Sequence, residues 1–286
     1  MKYSNVNNLD DCIVRALTFD EYSNEGSDYS ATTLIKSPQQ VILQKENDNA
    51  IVQDVGDLVW ARFGTAIHDW LYRANQNEKD LICEKRHTIT VKGKTVSGAT
   101  DAYHTIKHEV IDYKTTSVYP VKDGKVKPEW EKQLNTYAYM WRANGYSVRS
   151  LKIIAVLRDW SQSGLLRGGS YPKTPIVSLD VPLWSEQQQL DYITQRVDVH
   201  KKAEVEYEML GTLPQCSEEE RWQQPDKWAL MTKGKKRALK LYSKEEDAEK
   251  ALAKSTNNYI EHREGKANRC ERYCPCNQFC SQYQNK

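Results

Sequence analysis

The chain has 286 residues, with 41 Lys and Arg against 39 Asp and Glu and a formal charge of +2. A balance this near neutrality excludes a globally basic nucleic-acid coat, so any basic surface must be local. The longest apolar run, Ile153 to Leu157, is far too short to span a bilayer, and the opening MKYSNVNNLDD lacks the layout of a signal peptide. With mean hydropathy at −0.78, the expectation is a cytosolic protein with no membrane partner. Its length fits one principal core and a smaller appended module.

Residues 1–30 are polar and rich in Asn, Asp and Ser, which predicts a loose arm or a short irregular lead-in. Ser37-Pro38 reads as a helix start, with the helix running to Gln44. Val59, Phe63, Ile67, Trp70, Leu71 and Ala74 recur at helical spacing and predict an amphipathic helix over 58–76, with Gly64 and His68 one turn apart beside its stripe. Strands are expected over 81–90 and 95–103 about a Lys92-Gly93-Lys94 turn, then over 109–114. A helix over 129–144 carries Trp130, Leu134, Tyr137, Ala138 and Trp141 on one face and stops at Gly145. A buried strand (151–159), a mobile Gly-rich loop (161–174), an edge strand (176–181) and a long capped helix (185–210) follow. Composition shifts near Gly211-Thr212-Leu213-Pro214. A lysine-rich hairpin over 228–241, a helix from Ser243 to Lys254, a strand near 259–263 and a cysteine-rich tail complete the chain. The expected organisation is an arm (1–30), a core (31–211) and a C-terminal module (212–286).

The stretch Gly98 to Lys114, GATDAYHTIKHEVIDYK, reads as two strands joined by a turn. Residues on a strand alternate faces, so Asp112 and Lys114 share one face and Tyr113 takes the other. The return of the chain brings Asp101 beside them. Two carboxylates and an ammonium in one small volume are costly to bury without a partner, and a divalent cation is the usual partner of clustered carboxylates.

Four short motifs occur in order: Gly64-Thr65-Ala66-Ile67-His68, Gly98-Ala99-Thr100-Asp101, Asp112-Tyr113-Lys114 and Gln133-Leu134-Asn135-Thr136-Tyr137. Together they resemble the RecB-type branch of the PD-(D/E)XK nuclease superfamily over roughly residues 30 to 160. The resemblance implies an α/β, restriction-endonuclease-like core, a mixed central sheet flanked by helices. It implies that His68, Asp101 and Asp112, helped by the backbone carbonyl of Tyr113, bind Mg²⁺ or Mn²⁺. Imidazole leans the site toward Mn²⁺ tolerance. Lys114 would orient a metal-activated water and stabilise the transition state. Gln133 and Tyr137, one helical turn apart, would reach the DNA backbone or hold the lysine. Glu84 is a further candidate ligand.

Seven cysteines in a cytosolic chain, four of them within the last seventeen residues, point to metal rather than disulfides. RecB-like nucleases of the CRISPR-associated and helicase-linked kinds hold a [4Fe–4S] cluster with one distant cysteine and a C-x₂-C-x₅-C tail. Cys274 and Cys280 match the last spacing, and Cys270 lies one residue further off. The family's distant cysteine precedes the motifs, but Cys12 sits in the polar arm, so Cys216 is the expected fourth ligand. Cys276 could replace one of the four, and Zn²⁺ is the alternative to iron. The module is expected to pin the C-terminal segment to the core. Lys233, Lys235, Lys236, Arg237 and Lys240 could grip phosphates, and Trp160, Tyr171, Trp222 and Trp228 could stack on single-stranded bases, although core packing is the expected use of most of these aromatics.

The resulting expectation is a metal-dependent DNA exonuclease of phage or prokaryotic recombination and repair, acting on ends or single strands in a prokaryotic or phage-infected cytosol. The alternatives are a CRISPR-associated-type end-trimming nuclease, an endonuclease, or an inert DNA-binding scaffold built on the cysteine module.

Overall fold

The structure, a computed structural model, describes residues 2–20, 26–252 and 257–284. From the N-terminus run β1 (Lys2–Ser4), α1 (Asp11–Thr18), β2 (Tyr29–Ser30), α2 (Ala31–Ile35), α3 (Pro38–Glu46), β3 (Val52–Asp54) and α4 (Val59–Asn75). Strands β4 (Leu81–Val91), β5 (Lys94–His104) and β6 (Glu109–Thr116) lead to α5 (Pro128–Ala143), β7 (Ser150–Leu157), α6 (Gln162–Leu166), β8 (Ile176–Val181) and α7 (Glu186–Leu210). Then come α8 (Glu218–Arg221), β9 (Lys227–Thr232), β10 (Lys240–Tyr242), α9 (Glu245–Leu252), β11 (Asn258–Arg263), α10 (Asn268–Arg272) and α11 (Ser281–Gln284). The fold is mixed α/β. It divides into two compact units, Met1–Lys36 with Val52–Gly211, and Ser37–Ile51 with Thr212–Lys286. Ser37–Ile51, drawn with the core in the expectation from sequence, is thus grouped with the C-terminal segment.

The first unit is built on a six-stranded mixed sheet ordered β2-β5-β6-β7-β8, with β4 on the other side of β5. Strand β7 runs parallel to β6, and its apolar, β-branched sequence suits a strand covered on both faces. Strand β8 is antiparallel to β7 and forms the edge. The main core lies on the face that carries Val110, Leu151, Ile153 and Tyr103, where α5 supplies Leu134, Ala138 and Trp141, and α7 supplies Ile193 and Val197. Helix α7 starts at a capping box between Ser185 and Gln188 and ends at Gly211 with φ 64°, a left-handed conformation that glycine adopts without steric cost.

Two local expectations fail for identifiable reasons, and the apolar stripe of α4 is left uncovered. The N-terminal arm is not loose throughout. Strand β1 pairs in parallel with β3, where the Asp54 carboxylate accepts from Ser4 Oγ and from the amide of Val6, and β2 pairs with β5. The loop at 161–174 holds α6, capped by Ser161 on the amide of Gly164, and the Tyr171 hydroxyl accepts from the amide of Ser161. The stripe on α4 is not buried: no residue of that helix is, and Trp60, Phe63 and Trp70 are exposed.

In the second unit, β10, β9 and β11 form an antiparallel sheet against which Ala248 of α9 is buried. The expected hairpin is the β9–β10 pair, and its Lys233, Lys235, Lys236, Arg237 and Lys240 are exposed. The expected helix end at Lys254 lies outside the described residues. Among the described residues, no helix is long and apolar enough to cross a membrane.

Candidate active site

Two glycines let the elements of the site close on one another. A Cβ at Gly64 would stand 2.9 Å from Thr115 Oγ1, so glycine allows α4 to approach β6. That approach brings His68, one turn further along, over the sheet. A Cβ at Gly98 would stand 2.6 Å from the ring of Tyr137, so a bare backbone there lets α5 lay Tyr137 against β5. The glycines of the first two motifs thus serve close packing, each on behalf of a polar residue placed one turn or three residues later.

Strand β5 is paired to β4 along one side, while its other side is shared by β2 at Val96–Ser97 and by β6 from Ala102 onward. Asp101 sits at the fork where β6 joins. Its Oδ2 accepts from the amide of Tyr113 at 2.5 Å, occupying a donor that a continuous ladder would have used. Its Oδ1 lies 3.0 Å from His68 Nδ1. The β4–β5 ladder breaks at the same level: Cys83 pairs with Ala102 and Lys85 with Thr100, while Glu84 faces Asp101 with φ 49°. Side-chain alternation slips there as well. Trp141 accepts the stacked ring of Tyr103 and donates to Thr100 Oγ1, although three residues along a regular strand point to opposite faces. This is a bulge-like irregularity at a cluster of charges, where such features concentrate.

The result is a group of His68, Glu84 and Asp101 whose ligand-type atoms all lie within 4.8 Å of one another, the one such group among the described residues. An open cleft of about 560 Å³ borders it, lined by Gly64, Thr65, His68, Asp69, Tyr72 and Glu84. Beside the group runs a polar chain. Lys114 Nζ lies 2.6 Å from Asp112 Oδ2 and donates to Gln133 Oε1 at 2.9 Å, and Gln133 Nε2 donates to the Tyr137 hydroxyl at 2.8 Å. Gln133 and Tyr137 therefore hold the lysine. Asp112 is directed to Lys114 and stands outside the three-residue group. Tyr113 turns its ring into a small apolar cluster with Ala102 and Ile111, and meets His68 edge-on with ring centroids 6.0 Å apart.

Charge is crowded here. Burial, then the neighbouring Asp101 charge, pushes Glu84 up from 4.5 to about 7. Glu84 is exposed as a residue, but its carboxyl end stands in the crowded pocket, and that end sets its acidity. Burial also raises Asp112, against the opposing pull of Lys114. Burial alone would lower His68, but the bond and charge of Asp101, with Asp112 adding, outweigh it and leave the imidazole raised.

In the second unit, Cys216, Cys270, Cys274, Cys276 and Cys280 line one cavity of about 20 Å³ with Gln39, Gln40 and Leu43 of α3. Gln282 brackets Cys216, accepting from its amide at 2.9 Å and donating to its carbonyl at 3.0 Å, which ties this cysteine to the tail. The sulfurs of Cys274 and Cys276 lie 3.5 Å apart. Hydrogen bonding from Cys276 holds Cys274 below the usual thiol range, while Cys276 is pushed far up by the same contact and by burial. Cys12 and Cys83 lie apart from this cavity, in the first unit.

Two features escaped the sequence. The approach of Glu84 to Asp101 depends on a ladder break that no motif encodes. Of the aromatic residues weighed for base stacking, Trp160 and Tyr171 pack on the main core, Trp228 meets the His262 ring at a tilt and Trp222 packs against Tyr273. Three exposed aromatics, Trp60, Phe63 and Trp70, share α4, where the sequence pattern suggests a covered stripe.

No family model and no curated protein matches the chain. Solved structures align with part of it. One is the crystal structure of SSO0001, 16% identical, covering 65% of this chain and 84% of that one with a TM-score of 0.43. Another is a phage-related exonuclease from Haemophilus somnus 129PT, 14% identical, covering 52% of this chain and 73% of that one with a TM-score of 0.35. At these scores neither likeness bears on chemistry, which must be read from the site itself.

Proposed function

We propose that the chain is a divalent-metal-dependent deoxyribonuclease of the RecB-type PD-(D/E)XK kind, an exonuclease acting on DNA ends in phage or prokaryotic recombination and repair. The carrying observation is the convergence of His68, Glu84 and Asp101 beside a lysine held by Asp112, Gln133 and Tyr137. Two carboxylates and an imidazole suit Mg²⁺ or Mn²⁺. Burial, with the Asp101 charge adding, raises the pKa of Glu84 and Asp112, and a dication would relieve that cost of holding the carboxylates ionised. When bound, such an ion supplies a water of lowered pKa and neutralises charge on the phosphate. His68, Glu84 and Asp101 would hold it, with Asp112 and the Tyr113 carbonyl as the remaining donors. Lys114 offers its ammonium to charge developing on the phosphate, and Gln133 with Tyr137 keeps that ammonium in place. End-labelled linear, nicked and circular DNA with Mg²⁺ or Mn²⁺ tests the reading. Loss of label from linear DNA alone supports an exonuclease, cutting of closed circles an endonuclease, and no cutting overturns the assignment.

For the second unit we propose a [4Fe–4S] cluster on Cys216, Cys270, Cys274 and Cys280, with Cys276 as a hydrogen-bond donor to Cys274. Five thiols around one cavity support a thiolate-held cofactor. The cavity is room for roughly one water-sized group, so a cluster requires the thiols to spread, whereas a single Zn²⁺ requires them to close to about 3.8 Å apart, given Zn–S bonds of about 2.3 Å. A brown protein containing iron decides for the cluster, and a colourless one containing zinc decides for the ion.

A further inference from the structure

Helix α4 carries four aromatic residues, Trp60, Phe63, Trp70 and Tyr72, and the first two sit together at its N-terminal end. Trp60 is 54% exposed and Phe63 40% exposed, and their rings meet edge-on at 6.2 Å. An exposed indole of this kind is costly to leave in water. The Arg158 guanidinium lies 4.6 Å above the Trp60 ring. Arg158 is anchored by its own amide, which donates to the carbonyl of Thr116, two residues beyond Lys114 on β6. The close approach of Gly64 to Thr115 fixes the same part of α4 against the same part of β6. Lys127 lies over the Trp130 ring at 4.9 Å, and the charges of Arg158 and Lys114 both act on it. From Lys114 outward the surface thus offers cations and then aromatic faces.

We propose that Trp60 and Phe63, with Arg158 and Lys127, form a platform on which unpaired bases of a single-stranded DNA end stack as its backbone enters the candidate active site. Single-stranded DNA is chemically complementary to this surface. Every unpaired base has an open π-face that an indole can cover, and phosphates repeat at the spacing of the strand, where Arg and Lys can meet them. Bases within a duplex are already stacked and cannot offer that face. An apolar protein partner would match the rings but not the row of cations leading to Lys114. Which bond is cut rests on the nuclease reading above, whereas binding on the platform does not.

The test uses the full chain in EDTA and the anisotropy of a labelled oligothymidylate, against a blunt duplex of equal length. Trp60→Ala is expected to weaken oligothymidylate binding by about 5- to 150-fold, the range of one lost base–aromatic stack, with duplex binding unchanged. Trp60→Phe should retain most of the affinity. Arg158→Gln, which keeps the backbone bond to Thr116, should lower the salt dependence of binding by about one phosphate contact. Wild-type protein that binds oligothymidylate no better than duplex, or Trp60→Ala and Arg158→Gln variants that bind it as wild type does, overturn the platform. Trp60-dependent binding without any cleavage in Mg²⁺ or Mn²⁺ upholds the platform and removes the nuclease reading. Cleavage indifferent to Trp60 does the reverse.

Discussion

Glu84 and Asp101 face each other across β4 and β5 at the level where the ladder between these strands is interrupted, and Glu84 holds a φ of 49° there. A left-handed conformation costs a residue with a Cβ about 1–2 kcal/mol, and two carboxyls at close quarters repel. Both penalties fall at one point beside His68. Glu84→Gly removes them and adds back a glycine entropy cost of about 0.5–1 kcal/mol. The metal-free variant is therefore expected to be as stable as the wild type or more so in urea, while its Mn²⁺ affinity by calorimetry falls. Lower stability with unchanged Mn²⁺ affinity would contradict a ligand role for Glu84.

The same residue predicts a pH dependence. Its folded pKa is raised from 4.5 to about 7, so the protonated form is favoured by folding. That contribution is fully present below about 4.5 and lost as pH rises towards 7. Metal-free protein should lose stability across this window, and Glu84→Gln should lose less. Mn²⁺ competes with the same proton, so its affinity should rise over the same interval. Urea midpoints at stepped pH, in EDTA and in Mn²⁺, measure both slopes.

Much of the site was legible because its parts are local. The period-2 alternation of Asp112, Tyr113 and Lys114 and the one-turn spacing of Gln133 and Tyr137 place each side chain relative to its neighbour without tertiary information. The core strands and helices α5 and α7 follow from the same periodicities. Glu84 was legible only as a candidate, because its position depends on a pairing defect between two strands. The exposure of α4 was hidden too: Val59, Phe63 and Trp70 at helical spacing look the same whether the covering surface is part of the chain or not. The association of Ser37–Ile51 with a segment beginning at Thr212 is a long-range contact that no local pattern carries.

Gly98→Ala sets a Cβ 2.6 Å from the Tyr137 ring and obliges that ring to move. Overpacking of this kind costs about 1–3 kcal/mol. Since Tyr137 holds Gln133 and Gln133 holds Lys114, activity should drop with stability. Gln133→Ala separates the two effects. It leaves Lys114 with Asp112 alone, and kcat should fall by about ten- to a hundredfold through misplacement of the ammonium, with little change in KM. An unaltered kcat would reduce Gln133 to a packing residue.

Cys280→Ser addresses the second unit. Cys280 is 8% exposed and lines the thiol cavity. If the proposed cofactor is held there, the variant is expected to lose bound iron or zinc and melt at lower temperature, since metal binding would contribute folding energy. Full metal content with an unchanged melting curve contradicts a ligand role.

On the proposed function, Asp112 and Lys114, next to the group of His68, Glu84 and Asp101, carry out phosphodiester hydrolysis. Degradation of end-labelled linear DNA by purified wild type, Asp112→Ala and Lys114→Ala in Mg²⁺ or Mn²⁺ tests it most directly, with circular dichroism confirming the fold of each. The expected result is metal-dependent release of label by the wild type and none by either folded variant. Wild-type rates from a folded Asp112→Ala or Lys114→Ala protein would contradict it.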